Sequence, residues 1–178
     1  PLHLLCDALP ETRDRAPVSP LRARVIGIGQ DARGDDAAGL LVARALRAAE
    51  RLPAGVEIEE HDGDGMDLLL RFEGVAEVVL IDAVVSGERE AGALIELDAR
   101  AAPLPVRLFA PHSTHLLGVA EAVELARATD RLPAHLTLLG VEAQDFSFGG
   151  LPSPAVAAAL PALARRCLAV LGVGPADA

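Results

Sequence analysis

The chain has no Lys, no Trp and no Tyr, and only four Phe, one Met and two Cys among 178 residues. All 16 basic residues are therefore Arg. That excludes a lysine Schiff base, a lysine general base and a lysine phosphate ligand. Without Tyr, no phenol can act as an acid. Cys6 and Cys167 stand alone, without the C-x-x-C spacing of a zinc ribbon or redox pair. The apolar half of the composition comes from Ala, Leu and Val, which favours helices packed on a sheet over a sandwich rich in aromatics. A formal net charge of -10 argues against nucleic acid and anionic membranes as partners. No apolar run approaches the ~20 residues of a membrane span. The N-terminus, with Asp7, Glu11 and several Pro, does not resemble a secretory signal. The expectation is a cytoplasmic protein with an arm over 1–21, one domain over 22–172 and a tail over 173–178.

Short apolar runs, and alternation in the second, place strands at Arg24–Ile28, Val56–His61, Glu77–Val85, Ala93–Leu97 and Leu136–Val141. Helical spacing marks Asp36–Arg51, with Leu40, Ala43 and Leu46–Arg47 inward, and Met66–Phe72, with Met66, Leu69 and Leu70 inward. It also marks Leu116–Ala128, capped by Ser113 or Thr114, and a last helix from Pro154 to about Leu171, kinked at Pro161. The order β-α-β-α-β-β-α-β-α predicts a layered α/β domain, with one antiparallel pair allowed by the adjacent third and fourth strands. The second strand, charged on one face, belongs near an edge, and the apolar third strand, ended by Asp82, belongs centrally.

If the strands run mostly parallel, their carboxyl ends gather polar connections along one rim, where open α/β sheets keep their sites. Gln30, Asp35 and Asp36 follow the first strand, Asp62 and Asp64 the second, Asp82 the third, and Glu142 and Asp145 the fifth. His112 and His115 reach the same rim from the start of a helix. Carboxylates with an imidazole suit a divalent metal such as zinc, nickel or manganese. Each group also has a plainer role. Asp35 can cap the first helix and Asp36 offset its dipole, while Asp62 and Asp64 can serve as turn residues in a glycine-rich stretch. The glycines Gly27, Gly29 and Gly34 do not make a phosphate cradle, because the spacing is wrong and two acids occupy the helix start. A nucleophile fares no better: Ser113 and Ser153 lie in no G-x-S-x-G elbow, and Cys167 falls on a buried helix face.

Taken together, Gly27-Ile28-Gly29-Gln30 through Arg33-Gly34-Asp35-Asp36-Ala37-Ala38-Gly39, the turn His61-Asp62-Gly63, the strand end Ile81-Asp82-Ala83-Val84, Ser113-Thr114-His115-x-x-Gly118 and the loop Phe146–Pro154 resemble the hydrogenase maturation endopeptidases, the nickel-dependent processing proteases of [NiFe] hydrogenases. Gln30 stands where that family has Asn, and Ala37 where it has Gly. The resemblance implies a mixed five-stranded sheet, mostly parallel, in a three-layer α/β fold with helices on both faces. It implies an endopeptidase that removes the C-terminal extension of a hydrogenase large-subunit precursor. The nickel would be carried by that precursor and recognised by the enzyme. Carried over, the metal-binding and catalytic set is Asp36, Asp62 and His115, with Glu60 as the alternative to Asp62 in an ungapped match. Asp82, at the end of the third strand, is placed to orient the histidine. A non-catalytic module that binds or delivers nickel is the alternative reading of the same cluster.

Overall fold

In the computed structural model, residues 21–49, 52–109 and 117–173 are described. Five strands, β1 (Ala23–Ile28), β2 (Val56–His61), β3 (Glu77–Val84), β4 (Leu94–Asp98) and β5 (His135–Glu142), form one sheet in the order β2-β1-β3-β5-β4. β1 runs parallel to β2 and β3, and β3 parallel to β5. The one antiparallel partner is β4, which pairs with β5 and not with β3, its neighbour in sequence. The edge position of β2 and the central position of β3 are as expected.

Four helices cover the two faces: α1 (Ala38–Ala48), α2 (Gly65–Arg71), α3 (Val119–Ala128) and α4 (Pro154–Val170). The period-2 alternation of the strands sorts the core between them. Ile26, Ile28, Val78, Leu80, Leu136 and Leu138 pack with α2 and α3. Val25, Val79, Ile81, Leu139 and Val141 pack with α1 and α4. Helix α1 lies very close to the sheet. A Cβ on Gly27 would come within 2.6 Å of the Ala43 Cβ, and one on Gly39 would run into the carbonyl oxygens of Ile28 and Ile81. These glycines are required by helix–strand approach rather than by phosphate contact.

Several local expectations are corrected. The first helix opens with a 3-10 turn at Gly34–Ala37 and becomes α-helical only at Ala38. Arg47 is exposed on it. Met66 and Leu70 of α2 point outward, at 59% and 58% exposure, and Leu68 joins Leu69 inside. With its inward face turned to α3, this short helix buries the 68/69 ridge instead. Helix α3 starts at Val119 with Gly118 at its N-cap, and the expected caps Ser113 and Thr114 lie outside the described residues. Helix α4, by contrast, spans Pro154–Val170 with Pro161 inside it, as its pattern predicts. Asp82 does not end β3: it lies inside the strand, opposite Gly140 of β5. Among the described residues no helix is long and apolar enough to cross a membrane.

Candidate active site

The carboxyl ends of the parallel strands frame a cavity lined by Gln30, Arg33 and Asp36 from the β1–α1 turn and Asp62 and Gly63 from the β2–α2 turn, with Asp82 of β3, Phe109, Gly118 and Phe146 completing the wall. Three carboxylates thus line one cavity, Asp36 and Asp62 from two separate connections and Asp82 from within β3.

Their depths differ. Asp82 has the strand parity of Val78 and Leu80, so its side chain leaves the sheet on the α2–α3 face, where the core sits. It is only 6% exposed. One carboxylate oxygen accepts the Ala83 N–H at 2.8 Å. Burial first, and then the charge of Asp36, hold its proton affinity well above the ordinary carboxylate range, opposed by that hydrogen bond. Asp36, half-buried at the start of the α1 segment, is also raised by desolvation, while Arg33 and the Gln30 backbone pull it down. Asp36 therefore ionises first, and Asp82 loses its proton against that charge. Asp62 occupies the rim. Its side chain is 65% exposed and accepts the Asp64 N–H at 3.1 Å in an Asx turn.

Glu60 does not reach the cavity. It shares the face of Val56 and Ile58, which turns toward α1, and there Arg44 and Arg47 bind it at 2.6 and 2.7 Å. Hydrogen bonds from the two guanidiniums hold its carboxyl below the usual range. Asp62 escapes that face because β2 ends at His61 and Gly63 turns the chain with φ 90. His61 is buried on the opposite face. Its Nδ1 accepts the Gly63 N–H at 2.9 Å, so Nε2 carries the proton donated to Asp67 at 3.0 Å.

The remaining acids are structural. Asp35 caps no helix: it accepts the N–H groups of Gln144, Asp145 and Ser153 and the Ser153 hydroxyl. Glu142 accepts from the Ser86 N–H and hydroxyl and the Gly87 N–H. Asp64 is the N-cap of α2, and Asp145 holds the Ser147 N–H at 2.9 Å. Ser153 is the N-cap of α4. Cys167 is buried in the core, and burial pushes its thiol up to about 12. Cys6, His112, Ser113 and His115 lie outside the described residues. Among the described residues no three His, Cys, Asp or Glu side chains are grouped to hold a metal ion.

Asp82 is the residue whose place sequence reasoning undervalued. The signal was available: an acid at a core parity between the apolar run Val78-Val79-Leu80-Ile81 and Ala83-Val84.

Comparison with known proteins fits this geometry. A family model described as hydrogenase maturation protease matches residues 40–170. The chain belongs to the hydrogenase maturation protease family. Within it, the chain is 32% identical over 121 residues to the hydrogenase 2 maturation protease of Escherichia coli K12, covering 68% of this chain and 73% of that protein. The solved hydrogenase maturating endopeptidase HybD of E. coli superposes with a TM-score of 0.72 at 29% identity, over 85% of this chain and 92% of that one. A hydrogenase 2 maturation peptidase from a Thaumarchaeota archaeon gives 0.64 at 25% identity, over 86% and 99%. The protein is thus a hydrolase of peptide bonds, with the five-stranded mixed α/β fold of its relatives.

Proposed function

We propose that this protein removes the C-terminal extension of a [NiFe] hydrogenase large-subunit precursor in the cytoplasm, after nickel insertion. The observation that carries the reading is the joint placement of Asp36 and Asp82 in one cavity at the sheet's carboxyl edge. Two acids brought together under partial desolvation repel one another when ionised, and a divalent cation relieves that repulsion. Their oxygen donors, with an imidazole, are a donor set that nickel accepts. His115 supplies the imidazole in this proposal. It precedes Gly118, a cavity-lining residue, by three positions, which limits their Cα separation to about 11 Å.

In this reading the nickel arrives as part of the substrate, already held by precursor thiolates. Asp36, Asp82 and His115 complete its shell, and this coordination orients the scissile bond beside the site. A carboxylate then takes the proton of the attacking water. Asp62, at the rim, meets the incoming chain rather than the ion. An empty precursor lacks the cation that makes the buried acid pair favourable, so it docks weakly and is spared.

The test is cleavage of purified precursor with and without nickel, followed by mass analysis of the released peptide. The reading expects a C-terminal fragment from loaded precursor only. Equal cleavage of both forms would remove the coordination mechanism, and no cleavage of either would remove the assignment of substrate.

A further inference from the structure

Resting on the proposed reading that a hydrogenase precursor is the substrate, we infer that Phe148 and Leu151, continued by the outer face of α4, form the surface on which an apolar segment of the precursor docks beside the cavity. Phe148 and Leu151 are 87% and 86% exposed, the two most exposed large hydrophobic side chains of the described residues. Neither dangles from a loose tip. The Gly149 N–H donates to the Ala32 carbonyl at 2.6 Å, the Gly34 N–H to the Gly150 carbonyl at 3.2 Å, and the Asp35 N–H to the Asp145 carbonyl at 2.8 Å. The loop is stitched to the β1–α1 turn that carries Arg33 and Asp36, so an apolar surface is displayed in a fixed position.

Two further observations say what covers it. The surface is continuous with the cavity, because Phe146 of the same loop lines the cavity wall. A protein bound at the cavity meets this loop at Phe146. In addition, no charged residue occurs between Asp145 and Arg165, in a chain with 24% charged residues. On α4 this leaves Pro154, Ala157, Ala158 and Pro161 exposed at i, i+3, i+4 and i+7, one uncharged helical stripe following Leu151. Large apolar side chains exposed beside such a stripe mark an interaction site rather than a solvated face. The strip extends from the cavity along a helix, so it fits a folded substrate's apolar surface and not only the few residues around a cleaved bond.

The experiment titrates fluorescently labelled, nickel-loaded large-subunit precursor with wild type, with the double variant Phe148→Ser/Leu151→Ser, and with Ala158→Glu, and measures cleavage in parallel. All three positions face solvent, and circular dichroism checks that the variants are folded. The expected result is a Kd raised about tenfold or more in each variant, with KM rising and kcat retained. An unchanged Kd in both variants overturns the docking surface. So does sedimentation showing that wild type self-associates through these residues and the variants do not, since a second copy would then be the occupant. Precursor that binds wild type tightly but is never cut would sink the peptidase reading while leaving the docking surface standing.

Discussion

Asp35 accepts both the backbone N–H of Ser153, at 2.6 Å, and its hydroxyl, at 3.1 Å, across 118 residues of sequence. The same carboxylate takes the Gln144 and Asp145 N–H groups at 3.0 Å. One fully buried acid thereby ties the β1–α1 turn to the β5–α4 loop, and Asp36, its neighbour, is left to face the cavity. The adjacent pair divides into a structural member and a cavity-lining member.

Removing the structural member should be costly. In Asp35→Ala, three N–H groups and a hydroxyl lose their buried acceptor, and each orphaned donor costs about 1–3 kcal/mol, not additively. The expected loss is about 4 kcal/mol in urea denaturation, against about 1 kcal/mol for Ser153→Ala, which removes only the cap and one bond. A loss under about 1 kcal/mol for Asp35→Ala would mean that water satisfies these donors and that the tie is dispensable.

The close approach of α1 makes a second stability prediction. In Gly39→Ala the new methyl meets the Ile28 and Ile81 carbonyls, which are sheet backbone and cannot step aside. Alanine's helix propensity returns only about 1 kcal/mol, whereas overpacking against backbone costs about 3 kcal/mol. Gly74→Ala is the control. Nothing lies within 4 Å of its Cβ, but φ is +75, so the cost is backbone strain alone, about 1–2 kcal/mol. Thermal unfolding that ranks Gly74→Ala as the more damaging change would contradict the packing argument.

Asp82 gives stability a pH dependence whose sign is fixed. Burial and the Asp36 charge raise its folded-state pKa well above the ordinary carboxylate range. Between about pH 4, where the unfolded carboxyl ionises, and the folded-state pKa, the native protein holds the extra proton. Stability from this group is full below that window and falls as pH rises through it. Asp82→Asn abolishes the dependence, so the difference in unfolding free energy, variant minus wild type, should climb with pH from 5 to 8. A difference that stays flat or declines over that range would show that Asp82 ionises normally.

The order of strands and helices was readable because the strands are short apolar runs or alternate, and helices carry a buried stripe, as Leu40, Ala43 and Leu46 do in α1. Edge and centre were readable too, since Glu57 and Glu59 could not be buried on both faces of β2 while Val78–Ile81 could. What escaped depended on tertiary contacts. Met66 and Leu70 satisfy helical spacing as well as Leu68 does, and only the position of α3 decides which ridge is covered. The partner of β4 was hidden because sequence adjacency favours β3, while β3 already has β1 and β5 on its two edges. Asp35 and Asp36 look alike in sequence, and the donors that separate them come from a loop more than 100 residues away.

The ranking of acids at the cavity is the sharpest test of the site. Asp82 is buried at the cavity and electrostatically linked to Asp36, Asp62 is exposed at the rim, and Glu60 is occupied by Arg44 and Arg47. Groups that complete the shell of a substrate-borne ion should each matter by about 100-fold or more, because each supplies a donor to the ion. Asp36→Asn and Asp82→Asn are therefore expected to cut kcat/KM on loaded precursor by at least about 100-fold. A rim carboxylate contributes through a solvated contact worth about 1 kcal/mol, so Asp62→Asn should fall by less than about tenfold, chiefly in KM. Glu60→Gln breaks two ion pairs with α1 and leaves the cavity intact, so its kcat/KM should match wild type. Asp62→Asn as damaging as Asp36→Asn, with Asp82→Asn nearly wild type, would move the ligand from the strand to the turn: the site would then form by closure of the β2–α2 turn over the bound precursor, and not on the sheet as it stands.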